Sequence, residues 1–393
     1  MPPHPASGPA PGVLAAGHAT PQPSLAPGST AMPPAASNPP PTAALPGATP
    51  SAPRRSLSPN QRAWARFKRN RLGYIALWIF GIMLIVSSAA ELVANDRPLV
   101  ARYEGQWLFP IVNNPPERRF GGDFDTPTDW LDPFIRERFA APENIALFAP
   151  IPYSATALNY FAKAPDPAPP SREHWLGTDE SGRDLLARLI YGFRISAWFG
   201  FALTAAGVLI GIAAGAVQGY FGGRVDLVAQ RFIEIWNSVP ELYLLIIFAS
   251  IFEPSILLLL VLLALFGWVS LSDYVRAEFL RNRSLEFVKA ARALGLSNWQ
   301  IIRRHVLPNS MTPVITFLPF RMSASILALT SLDFLGLGVP PPTPSLGDLL
   351  RQGKENLDAW WITVPTFALL VITLLLLTFI GDALRDAFDT RKS

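Results

Sequence analysis

Glu286-Phe-Val-Lys-Ala-Ala-Arg-Ala-Leu-Gly295, running on through Ser297 to His305-Val-Leu-Pro308-Asn309, stands between two apolar runs of membrane-spanning length. Ser284 is placed to cap a first short helix that stops at Gly295. Ser297 and Gln300 have the spacing of a capping box that opens a second, and Pro308 is expected to end it. Ala290, Ala291 and Gly295 fall on or beside one face with almost no side-chain bulk, so another protein's surface can approach the backbone there. A segment that merely joined two membrane helices would need neither cap. The plainer reading is an amphipathic loop resting on the lipid surface.

Composition agrees with a membrane setting. Hydrophobic residues make up 50% of the 393 residues and charged ones 16%. The mean hydropathy of +0.27 is too apolar for an ordinary soluble domain of this length. Cysteine is absent, which removes disulfides, thiolate nucleophiles and iron-sulfur ligation. His4, His18, His174 and His305 are the only imidazoles and no two have metal-ligand spacing, so no metal site is expected. The net charge of +4 comes from basic residues clustered beside apolar runs. The positive-inside rule explains them better than nucleic-acid binding does.

Residues 1–53 form a Pro/Ala-rich tract with too few large apolar groups to offset chain entropy, and disorder is expected there. Residues 54–94 open with a run from Arg54 to Arg71 that bears Arg54, Arg55, Arg62, Arg66, Lys68, Arg69 and Arg71 and no acid; it leads into a first membrane helix and sets the N-terminus in the cytoplasm. Further runs of spanning length occur near 195–219, 229–252, 255–277, 312–337 and 360–384. About six crossings return the C-terminus, with Arg385, Arg391 and Lys392, to the same side, and place the loop 278–311 there too. Residues 95–190, mixing aromatics with charges and prolines, are expected to fold as a small external cap; within it Lys163 to Pro170 reads as a stiff spacer. Residues 191–390 make the remaining five-helix core. The fold class is therefore an all-α polytopic membrane protein with an external domain between its first two helices.

Two ionisable groups stand inside apolar runs, where they are costly unless paired or hydrated. Glu241 lies roughly 18 Å along the third helix and Arg321 roughly 13 Å along the fifth, counted from the loop side. They can meet as an interhelical ion pair, or they can line a translocation path. Pro240, Pro313 and Pro319 are expected to bend or start helices, and Trp360 and Trp361 to anchor the last helix at the interface. Asp179 and Glu180, flanked by Gly177 and Gly182, form with Arg183 and Asp184 an interface charge network; they lack the nucleophile or metal set an acid/base pair would need. Gly222-Gly223 marks a tight turn.

The basic hairpin resembles the cytoplasmic EAA loop of ABC-importer permeases, written Glu-Ala-Ala, three residues, Gly, nine residues, Ile-x-Leu-Pro. Lys289 replaces the motif's Glu and His305 its Ile, whereas Ala290, Ala291, Gly295, Leu307 and Pro308 fit. The wording Ala-Ala-Arg-Ala-Leu-Gly and His-Val-Leu-Pro-Asn is similar to the peptide and nickel branch. His174 to Asp184, Gly219 to Asp226, Ser331 to Pro340 and Pro344 to Leu350 also resemble the C-type permease of peptide importers, together covering roughly 174–390. Phe120-Gly-Gly-Asp-Phe124 and Asp129-Trp-Leu-Asp-Pro133 look like its Yej-type branch, similar to importers of peptides and of the peptide-nucleotide antibiotic microcin C.

That resemblance implies a type I ABC-importer permease fold in a bacterial inner membrane, both termini cytoplasmic, without enzymatic activity of its own. It implies three protein partners: a second, B-type permease, ATPase subunits, and an extracytoplasmic peptide-binding protein. It also implies that Glu286, Lys289, Ala290, Ala291, Arg292, Leu294, Gly295, His305, Leu307 and Pro308 form the contact with the ATPase. The chain has no Gly-x-x-x-x-Gly-Lys-[Ser/Thr] motif, so no cofactor is expected on it and ATP would be bound by the partner subunits. The rivals are a nickel-type permease, an ion-coupled secondary transporter and a membrane scaffold. An ion-coupled carrier would call for inverted repeats and paired intramembrane carboxylates, and neither is clear here.

Overall fold

In the computed structural model, residues 58–158, 160 and 165–389 are described. The expected disordered tail 1–53, Arg54 and Arg55, the start of the 163–170 stretch, and Arg391 and Lys392 lie outside them.

Helix α1 (Pro59–Arg69) opens on a capping box: the Gln61 amide donates to the Ser58 hydroxyl and the Ser58 amide to the Gln61 side chain. Asn70 ends it and caps α2 (Arg71–Ser88), the first helix long and apolar enough to cross a membrane. After α3 (Ala90–Val93) the chain builds a small unit containing β1 (Val100–Tyr103), β2 (Gln106–Leu108), α4 (Pro133–Phe139) and β3 (Ile145–Leu147). Its antiparallel sheet has the order β2-β1-β3, pairing Ala101 with Leu108 and Ala146. Phe120, Trp130 and Ile135 are buried in its core. This sheet departs from the all-α expectation within the segment between the first two spans.

The spacer stretch, where described, does not stand free. Thr178 accepts from the Ala168 amide through its hydroxyl and donates its own amide to the Ala168 carbonyl, folding 165–170 onto the segment ahead of α5.

Helix α5 (Leu185–Phe221) begins at Asp184, whose carboxylate accepts from the Ala187 amide. Its 37 residues span about 55 Å, more than a hydrocarbon core needs. Gly222 (φ +60°) and Gly223 (φ +55°) then turn the chain tightly, as the sequence suggests. Next come α6 (Gly223–Asn237), α7 (Glu241–Ile251), α8 (Ile256–Gly267) and α9 (Val269–Asn282). The hairpin elements α10 (Glu286–Ala293) and α11 (Asn298–Ile301) lead through a π-turn, Ile302–Val306, into α12 (Leu307–Phe334). Finally α13 (Leu346–Glu355) precedes α14 (Trp360–Phe388).

Among the described residues, five stretches are long and apolar enough to cross a membrane, and a sixth exists if α6 and α7 are one span bent by 62°. The run expected as one helix over 229–252 is therefore broken. Pro240 has no amide hydrogen to donate and disfavours helical geometry at Val239, so the helix stops and restarts. Pro313 and Pro319, by contrast, lie inside α12 without ending it; the Thr316 hydroxyl donates to the Pro313 carbonyl.

The core of the bundle is α5 against α9. Gly207, Gly211, Gly215 and Gly219 lie four residues apart on α5, and a Cβ added at Gly219 would sit 2.5 Å from Phe279 Cβ and 2.6 Å from the Arg276 carbonyl. Backbones thus touch where side chains would otherwise hold the helices apart. Helix α14 packs between α2 and α12 through Phe80, Met322, Leu370 and Ile380.

Candidate functional site

The hairpin lies at the end of α5 remote from the cap, because Tyr220, next to last in α5, bonds to Asn298 in α11 while Asp184 starts the helix at the cap end. Its underside is a single apolar cluster: Val288, Ala291, Ile301, Ile302 and Val306 pack on Phe279 and Tyr220. Asn282 donates to Ser310 at 2.8 Å, tying the end of α9 to the start of α12 in a buried contact. The two helices are thus fixed to the bundle beneath them.

Its outer side differs. Glu286, Lys289, Ala290, Arg292 and Gly295 are exposed, Leu294 80% so. Ala291 faces inward, so the small-residue face expected over 290–295 is carried by Ala290 and Gly295. Gly295 (φ +79°) ends α10 and leaves open space around its Cα. Trp299, 68% exposed, joins Leu294 as a second apolar group there; sequence reading missed it, although its place beside the capping box was a signal. Lys289 pairs with Glu286 at 2.9 Å. His305 and Leu307 are half-buried and Pro308 is exposed.

Two local expectations are corrected. Ser284 does not cap α10: its hydroxyl donates back to the Arg281 carbonyl, and Leu285 holds the cap position without a side-chain bond. The Ser297 box with Gln300 does form. Pro308 does not end the second helix. It falls in the first turn of α12, directly after the π-turn, whose wider hydrogen-bond ring carries the chain past the missing amide without a break.

A second constellation sits at the cap end. Arg188, wholly buried, lies 3.2 Å from Asp179 and 3.3 Å from Asp348 of α13. His174 meets Asp184 at 2.9 Å, and Arg351 pairs with Asp348 and Glu355. The central cation is Arg188, one turn into α5, and not Arg183, whose backbone amide binds Asp179. Burial pushes the Glu180 carboxyl up, and its amide donates to Gln352. Asp179, Asp184 and Asp348 each cap a helix or meet a cation, which is scaffolding geometry. Trp361 belongs to the same assembly, donating to the Thr178 carbonyl, whereas Trp360 is exposed.

The structure does not join Glu241 to Arg321. Arg321 donates to the Ser270 hydroxyl at 2.9 Å and to the Gly267 carbonyl, across the break between α8 and α9. The Leu265 carbonyl at the same break accepts from Trp236 and Trp268. The guanidinium thus serves a carbonyl freed where a helix ends, which is also where the helix dipole is negative. Glu241 is the first residue of α7, at a positive helix end, and no ion pair engages it among the described residues. Helix ends, rather than each other, stabilise the two charges.

A model of the binding-protein-dependent transport system inner membrane component matches residues 207–393, and one of the N-terminal TM domain of oligopeptide transport permease C matches 58–116. The inner membrane ABC transporter permease protein YejE of Escherichia coli is 51% identical over 86% of this chain and 99% of its own. The peptidoglycan transport system permease protein YejE of Agrobacterium fabrum is 47% identical over 85% of this chain and 93% of its own. The dipeptide transport system permease protein DppC of Lactococcus lactis is 33% identical over 86% and 92%. A solved methionine ABC transporter, MetNI, inward facing, shows a slight likeness: TM-score 0.44 at 18% identity, covering 52% of this chain and 98% of that one.

Proposed function

This chain belongs to the binding-protein-dependent permeases of ABC importers, in their peptide branch, and from that membership we propose that its hairpin from Leu285 to Asn309 is the seat of a partner ATPase subunit. It is a multi-pass membrane subunit of a peptide importer and not an enzyme. Such permeases work with ATPase subunits and a further permease subunit. In the proposed assembly this chain forms half of the translocation pore with a B-type permease. ATP is bound and hydrolysed by the ATPases, which sit with both termini and the hairpin on the cytoplasmic side. A peptide-binding protein docks over the cap outside.

The observation that carries the reading is the contrast between the hairpin's two faces. Leu294 and Trp299 protrude, flanked by Ala290 and open space at Gly295, over an underside locked to α5, α9 and α12. Apolar groups of that size in water mark a surface awaiting a partner. A rigid base lets load on that surface move helices instead of bending a loop. Glu241, unpaired at the break of a bent span, is the residue proposed to line the path. Peptides are the cargo class. Peptidoglycan-derived peptides, suggested by the Agrobacterium relative's name, and peptide-nucleotides such as microcin C are the proposed members of it.

The chain has no cysteine, so one introduced thiol is unique in it. In the assembled importer, Leu294→Cys and Trp299→Cys are expected to crosslink to a cysteine on the ATPase surface, and Ile85→Cys, exposed on α2, is not. An intact, ATP-hydrolysing assembly in which neither hairpin thiol captures the ATPase would overturn the assignment.

A further inference from the structure

Tyr220 stands where three helices end or begin. It is 4% exposed. Its hydroxyl donates to Asn298 Oδ1 of α11 at 2.8 Å. Its ring lies beneath the Arg292 guanidinium of α10, 5.9 Å from the centroid. Its carbonyl accepts from Arg283, just past the end of α9, at 3.1 Å. One residue of α5 therefore holds both short helices of the hairpin and the chain that leads into them.

Covalent continuity joins the hairpin to α9 on one side and α12 on the other, but not to α5. Yet α5 runs from this point to Asp184 at the cap end without interruption, and its glycine-lined face lies directly on α9. We infer that Tyr220 is a positioning residue that engages the hairpin with α5, so that displacement of α10 and α11 by an ATPase is delivered to the long helix as well as to α9 and α12. This rests on the hairpin being the ATPase seat. Without the Tyr220 contacts the hairpin would still bind the ATPase, but part of its motion would be lost between α11 and α5. The distinguishing quantity is then substrate moved per ATP hydrolysed, not assembly.

Tyr220→Phe keeps the ring beneath Arg292 and removes only the bond to Asn298; Asn298→Ala removes the same bond from the other side. In the complete importer, reconstituted in liposomes with its binding protein, each is expected to lower uptake per ATP about fivefold, the worth of one hydrogen bond. The double variant is expected to be no worse than either single one. Leu294→Cys crosslinking, repeated in the Tyr220→Phe background, separates the two claims. Crosslinking retained with uptake per ATP reduced supports the inference. Crosslinking retained with uptake per ATP at the parental value in Tyr220→Phe overturns it, as do single losses that multiply in the double variant. Crosslinking absent from the parental assembly removes the seat, and this inference with it.

Discussion

Arg188 and Asp179 face each other at 3.2 Å with both side chains wholly excluded from solvent. The approach is close enough for charge attraction but poorly aligned for a hydrogen bond, and the bond Arg188 does make is to Asp348 of α13. One cation thereby fastens the segment before α5 and the helix before α14 to the same turn. Removing one partner leaves a buried charge uncompensated, which costs about 3–5 kcal/mol, whereas removing both costs far less. Arg188→Met is expected to lower the melting temperature of the detergent-solubilised protein sharply. Adding Asp179→Leu and Asp348→Leu should restore much of the loss. A single variant that melts with the parent would show the network to be ornamental.

The glycine row of α5 makes a sharper forecast. A methyl group at Gly219 would press into Phe279 Cβ and the Arg276 carbonyl, backbone and near-backbone atoms that cannot swing aside. Gly219→Ala is expected to destabilise by about 1–3 kcal/mol through forced separation of α5 from α9. Gly81→Ala is the control, since nothing lies within 4 Å of a Cβ there and alanine is the better helix former. Equal melting temperatures for the two variants would contradict the close approach.

Just past the first span, Glu91 of α3 is tied to Arg194 of α5, 2.7 Å apart. Burial pushes the Glu91 carboxyl up, but the hydrogen bond and charge of Arg194, with a backbone bond, outweigh it and hold the group below its ordinary value of 4.5. The folded state therefore binds this proton less tightly than the unfolded one. Its contribution is complete above pH 4.5 and fades as the pH falls through the lower folded value. Glu91→Gln should be less stable than the parent at neutral pH, and the gap should close as the pH falls below the ordinary carboxylate value. The carboxylate is half exposed, so the gap is expected to be small and to shrink with salt. A gap that persists unchanged in acid would exclude the ion pair as its source.

What the sequence made legible, and what it hid, follows from which physical signals are local. Runs of apolar residues, the Ser297–Gln300 box, the paired glycines at 222 and 223 and the basic flank of α2 act within a few residues, and the structure repeats them. Ser284 was misjudged because a serine hydroxyl can bond backward to Arg281 as readily as forward. Pro308 was misjudged because a π-turn, which has no sequence mark of its own, supplied the slack a proline needs. Arg188 gives no sign of its role in the sequence, because its partner Asp348 lies 160 residues away, beyond any local pattern. Trp299 sits inside the Ser297–Gln300 box, which marks its helix but not its face, and its exposure is a fact of packing.

Arg321 and Glu241 give the same lesson and the last forecast. Counting along helices placed them at similar depths, but depth fixes neither the face of a helix nor its neighbours. Arg321 holds the Ser270 hydroxyl and the Gly267 carbonyl, so what it requires at the break is acceptors, not a carboxylate. Two consequences separate this from an ion pair. Exchanging the charges, Glu241→Arg with Arg321→Glu, should not rescue uptake lost in Arg321→Glu, because a carboxylate set against the Gly267 carbonyl is repelled whatever stands at 241. Arg321→Lys should keep part of the uptake, because an ammonium can serve one of the two acceptors but cannot fork to both. Arg321→Met, which leaves the carbonyl to find another donor, should lose about 1–3 kcal/mol of stability as well. Uptake by reconstituted importer, read with the melting temperature of each variant, decides it: full rescue by the exchange would restore the ion pair and remove the helix-end account.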